Sequence, residues 1–70
     1  MRLYKAGAEV SGPLAKWDHV TGRDDRGRPV LRGMVARADT TKDGRPLVAV
    51  LVSGPALVFL TRVAAGWVGL

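Results

Sequence analysis

Apolar positions along the chain come in short blocks set off by glycine and proline. Leu47-Val48-Ala49-Val50-Leu51-Val52 and Leu57-Val58-Phe59-Leu60 stand out, and neither holds a polar residue. Turn signals recur at intervals of roughly eight to twelve residues, the spacing of short strands. The pattern predicts six strands, over residues 2–6, 14–21, 29–38, 46–52, 56–63 and 67–70. Asp43-Gly44, between Val35-Ala36-Arg37-Ala38 and Leu47-Val48-Ala49-Val50, is the strongest hairpin signal in the chain. Gly27-Arg28-Pro29 and Gly44-Arg45-Pro46 repeat one device. In each, glycine closes a turn and proline opens a strand where no ladder N–H is required. Ser11-Gly12-Pro13 and Ser53-Gly54-Pro55 are further turn signals.

A helix competes for one segment. Ser53 is a possible cap, Pro55 suits a first turn, and Gly66 suits the position past the end. Such a helix would be apolar all round except at Thr61 and Arg62. Seventy residues cannot wrap it, so the strand is expected. The fold class is therefore all-β, a small five- to six-stranded bent barrel or sandwich. It is SH3-like or OB-type by analogy of strand count and spacing alone. Residues 1–70 are expected to form a single small β-domain, near the lower size limit for a hydrophobic core without other support.

Both faces of strands 46–52 and 56–63 read as apolar, whereas a strand with one wet face alternates. A domain this small covers one face with its own core and has little left for the other. An interface between copies of the chain, or with a larger protein partner, is expected at Val48, Val50, Val52, Val58 and Leu60. Trp67, in Gly66-Trp67-Val68-Gly69-Leu70, reads as a core plug in a closing strand.

Composition sharpens this picture. There is no cysteine, hence no disulfide and no thiolate metal site. Glu9 is the only glutamate and lysine is scarce, so the usual fillers of exposed helices are missing. No signal-peptide core follows Met1, and the apolar stretch 47–60 is interrupted and too short to cross a bilayer. The expectation is a cytoplasmic protein with no membrane partner. Net charge is +5, and eight of the eleven cations are arginine, the side chain suited to bidentate phosphate contacts.

Catalysis has little to work with. His19 is the only histidine, and its neighbour Asp18 would point to the opposite strand face. Ser11 and Ser53 lie in turn sequences without nucleophile-elbow spacing. Asp18, Asp24, Asp25, Asp39 and Asp43 show no metal-ligand spacing, and no loop matches a phosphate-binding or dinucleotide fingerprint. A non-enzymatic protein with no cofactor and no small-molecule substrate is expected. The basic residues carry the leading expectation instead. Arg23, Arg26, Arg28 and Arg32 cluster around one loop, while Arg37, Lys42 and Arg45 surround the next. With the hairpins side by side they would form one positive surface for a nucleic-acid backbone, and Trp17 and Tyr4 would add stacking faces. The expected function is an accessory or regulatory nucleic-acid-binding module. The alternative is a structural or assembly subunit that packs through its apolar strands.

Overall fold

A computed structural model of the chain describes every residue except Pro55. Seven strands form one antiparallel sheet: β1 (Arg2–Lys5), β2 (Ala8–Val10), β3 (His19–Arg23), β4 (Pro29–Thr40), β5 (Pro46–Ser53), β6 (Ala56–Val63) and β7 (Gly66–Gly69). Their order is β2-β1-β3-β4-β5-β6-β7. The segment 56–63 is a strand as expected, and so is 46–52 within β5. Pro55, which the sequence reads as a turn residue or the first turn of a helix, lies outside the described residues.

The expected barrel or sandwich is not formed. All seven strands belong to a single sheet that ends on β2 and β7, and among the described residues no ladder joins those two ends. The reason is an unforeseen strand. Chain 8–10 folds back on β1, pairing Leu3 with Val10, Tyr4 with Glu9 and Lys5 with Ala8, and so fills the β1 edge that a closing strand would need. Met1 and Trp67 still meet. The Trp67 N–H donates to Met1 O at 2.7 Å, the Met1 amino group donates to Trp67 O at 3.2 Å, and the indole N–H of Trp67 donates to Val10 O at 3.2 Å. The segment 14–21 is also corrected, because regular pairing starts only at His19.

Two hairpin turns are built alike. In 24–28 the Asp24 N–H donates to Arg28 O and the Gly27 N–H to Asp24 O, while Asp24 Oδ1 accepts from the N–H groups of Arg26 and Arg28. In 41–45 the Thr41 N–H donates to Arg45 O, the Gly44 N–H donates to Thr41 O, and Thr41 Oγ1 accepts from the Arg45 N–H. Gly27 and Gly44 take φ of 78° and 86°, the left-handed region that glycine enters without steric cost. Pro29 and Pro46 then open β4 and β5, as the repeated Gly-Arg-Pro implies.

Register divides the sheet into two faces. Leu3, Val20, Val35, Val48, Val50, Leu60 and Trp67 are buried on the inner face, with Leu14 of the β2–β3 connection packed among them. The pairs Val48–Leu60 and Val50–Val58 lie side by side on it. Each such side chain taken from water contributes about 1.5–3 kcal/mol. Trp67 is the core plug that its sequence suggests, at 1% exposure. Val48, Val50 and Leu60, expected at an interface between chains, lie in this core instead, and Val52 and Val58 are half-buried against it. The intervening residues of β5 and β6 form the outer face.

Candidate functional site

The outer face has two halves of different chemistry. Strand pairing aligns Tyr4 with Thr21 and Thr21 with Arg32, so these three make one row across β1, β3 and β4. Arg2 pairs with Arg23 in the next row, and His19 pairs with Met34 on the other side. The sequence His19-Val20-Thr21-Gly22-Arg23 produces this by simple alternation. Val20 and Gly22 turn inward to the core, and the polar members turn outward.

Tyr4, His19, Thr21, Arg23 and Arg32 line a cleft of about 510 Å³, bordered by Ala6 and Gly7 of the β1–β2 turn. That volume falls in the range of roughly 300–1,000 Å³ usual for ligand clefts. Among the described residues no carboxylate lines it, and its formal charge comes from the two guanidinium groups. The Arg23 guanidinium stands over the Tyr4 ring, 5.9 Å from its centre, and Arg23 Nη1 donates to Gly27 O at 2.8 Å. The β3–β4 turn thus holds one cation in place above an aromatic face.

The remaining expected cations disperse. Arg26 and Arg28 are exposed on the turn that anchors Arg23. Lys42 and Arg45 belong to the β4–β5 turn, at the opposite end of the twelve-residue β4, so the two hairpin loops do not merge into one surface. Arg45 is also paired with Asp43 at 3.1 Å, and Arg37 lies 3.7 Å from Asp39. The Thr41 hydroxyl donates to the Asp43 carboxylate and holds it below its usual pKa, with Arg45 adding to the effect. Trp17 is 60% exposed, at a left-handed φ of 80°, with Lys16 Nζ 4.6 Å from its ring centre. It does not line the cleft.

Asp18 is occupied structurally. Its Oδ2 accepts from the Ala15 N–H at 2.9 Å and its Oδ1 lies 3.0 Å from Lys5 Nζ. The Ala15 hydrogen bond, then Lys5, lowers its pKa. A carboxylate with a lowered folded-state pKa stabilises the fold above its unfolded pKa, and that contribution is lost as pH falls through the folded value. Among the described residues no cluster of three or more His, Asp or Glu could hold a metal ion, and no helix is long and apolar enough to cross a membrane.

The other half of the outer face is apolar. Leu47 and Thr61, Ala49 and Phe59, and Leu51 and Leu57 are paired across β5 and β6, and Thr61 pairs with Val68 of β7. Leu57 and Phe59 are each 46% exposed and Val68 43%, and Leu70 continues the patch, its N–H donating to Phe59 O. Arg37 and Asp39 of β4 border a groove that also includes Leu47 and Phe59. On β6 the exposed apolar side chains are therefore Leu57 and Phe59, of the parity opposite to Val58 and Leu60. No protein-family model, curated protein or solved structure matches the chain.

Proposed function

We propose that this chain is a non-enzymatic binding module that takes nucleic acid on the β1–β3–β4 half of its outer face. The cleft lined by Tyr4, Arg23 and Arg32 carries the proposal. It joins two guanidinium groups, each able to fork onto phosphate, to an aromatic ring on one sheet face. Arg26 and Arg28 extend the positive surface along the adjoining turn. Lys42 and Arg45, at the far end of β4, are outside it. Replacing Arg23 and Arg32 together by alanine is expected to weaken binding to a single-stranded oligonucleotide. The slope of log K against log salt should become shallower, by about 0.7 for each phosphate no longer neutralised. The pair Lys42→Ala and Arg45→Ala should leave that slope nearly unchanged. Fluorescence anisotropy titrations over a salt series measure both, and equal effects from the two pairs would refute the assignment to the cleft.

A second reading is favoured by the apolar half. Leu57, Phe59, Val68 and Leu70 form one continuous exposed patch, of the kind that marks a protein interface when it is large. A second copy of the chain suits it, because Arg37 and Asp39 place both charge signs at its border, where a twofold partner would exchange them. Sedimentation velocity over a wide concentration range is expected to detect association of the unaltered chain. Phe59→Glu should give a folded monomer, since that side chain already faces water. A monomer at every concentration in the unaltered chain ends the self-association reading.

A further inference from the structure

We propose that the cleft accommodates one unpaired nucleobase, stacked flat between the Tyr4 ring and the Arg23 guanidinium, with the adjoining phosphate on Arg32. This rests on the reading of the outer face as a nucleic-acid surface, and it specifies single strands over duplex. The pairing of a guanidinium with an aromatic ring is the first reason. The Arg23 guanidinium carbon lies 5.9 Å from the centre of the Tyr4 ring, and Arg23 Nη1 donates to Gly27 O. Every base has a π-face that stacks on an aromatic ring and on a guanidinium, so rotation of the Arg23 side chain away from the ring admits a base between the two.

Placement of the other groups is the second reason. Tyr4 and Arg32 flank Thr21 in one cross-strand row, which puts their backbones two strand spacings, or about 10 Å, apart. The long arginine side chain spans that gap toward a phosphate attached to the stacked nucleotide. Thr21 between them offers a hydroxyl that both donates and accepts, and His19 offers ring nitrogens, so the edge of a base has polar partners. Ala6 and Gly7 border the cleft with almost no side chain, leaving room for the sugar. A paired base inside a duplex presents no free face, so a double helix cannot use the Tyr4–Arg23 gap without unstacking.

The test compares a fluorescent oligothymidylate, a duplex of equal length and free thymidine monophosphate at one low salt concentration. The single strand is expected to bind the unaltered chain at least about tenfold more tightly than the duplex, and both more tightly than the mononucleotide. Tyr4→Leu should weaken the single strand by roughly 5- to 150-fold, the usual range for losing one base stack, and leave duplex affinity unchanged. Tyr4→Phe should bind like the unaltered chain. Arg23→Lys, which keeps the charge and loses the plane, should reduce the preference for single strands without weakening the duplex. This variant also guards against a folding defect in Tyr4→Leu, which circular dichroism would report. Equal binding of single strand and duplex, or no effect of Tyr4→Leu and Arg23→Lys, overturns the stacked base while electrostatic binding still stands. Thymidine monophosphate binding as tightly as the oligonucleotide overturns a strand as the ligand. No binding of any nucleic acid at low salt removes the functional reading itself.

Discussion

Trp67→Ala is expected to leave the chain largely unfolded at room temperature. Trp67 is among the largest fully buried side chains, and tryptophan-to-alanine changes in a core cost about 3–5 kcal/mol. A core in a domain of this size rarely supplies more than about 3–5 kcal/mol in total. The substitution also removes the indole N–H that Val10 O accepts, so β2 loses its link to β7. Urea titration followed by circular dichroism measures the effect, with Trp17 left as a fluorescent probe of its own neighbourhood. A cooperative transition close to that of the unaltered chain would show that β7 contributes little to the core.

Gly33→Ala is expected to be strongly destabilising for a single-methyl change. A Cβ at this position would lie 2.3 Å from Leu51 O and 2.8 Å from a Val50 methyl, and the first of these is backbone that cannot rotate aside. Relief requires β4 and β5 to separate where Met34 pairs with Leu51. Overpacking of this kind costs about 1–3 kcal/mol. In a domain this small the thermal midpoint then falls by roughly 4–8 °C for each kcal/mol. Gly12→Ala is the control, since nothing lies within 4 Å of its added methyl and its φ is not left-handed. If the two variants melt together, the close approach of β5 to Gly33 is not a constraint on the fold.

The turns were the most legible part of the sequence. Gly-Arg-Pro at 27–29 and 44–46 encodes a left-handed residue followed by a strand start, and both turns have that form. The strand at 56–63 was legible because an all-apolar helix has nowhere to sit in so short a chain. The β1–β2 hairpin was not, and its turn shows why. Ala6 and Gly7 both take positive φ, of 52° and 83°, and alanine gives no signal for that conformation where asparagine or aspartate would. Missing that hairpin meant missing the strand that occupies the β1 edge, and so the open sheet.

The site was partly legible. Charge in loops is conspicuous, which drew Arg26, Lys42 and Arg45 into one surface that the length of β4 pulls apart. The alternation of His19, Thr21 and Arg23 with Val20 and Gly22 was present in the sequence, but only pairing to Tyr4 and Arg32 makes it a cleft. Parity in 47–52 could not be read at all. Where both faces are apolar, a one-residue shift exchanges core for surface without changing the pattern, and register is set by the partner strands.

The strand order also bears on colloidal behaviour. Unpaired strand edges are templates for edge-to-edge aggregation, and natural sheets keep them short. Here the margins are the three-residue β2 and the four-residue β7, and the backbone of β7 is already engaged by Met1 at Trp67. The segments with the composition of a steric zipper, Leu47–Val52 and Leu57–Leu60, are paired on both sides between β4 and β7. The chain keeps its most adhesive backbone in the interior of the sheet and presents its least adhesive strands at the rim.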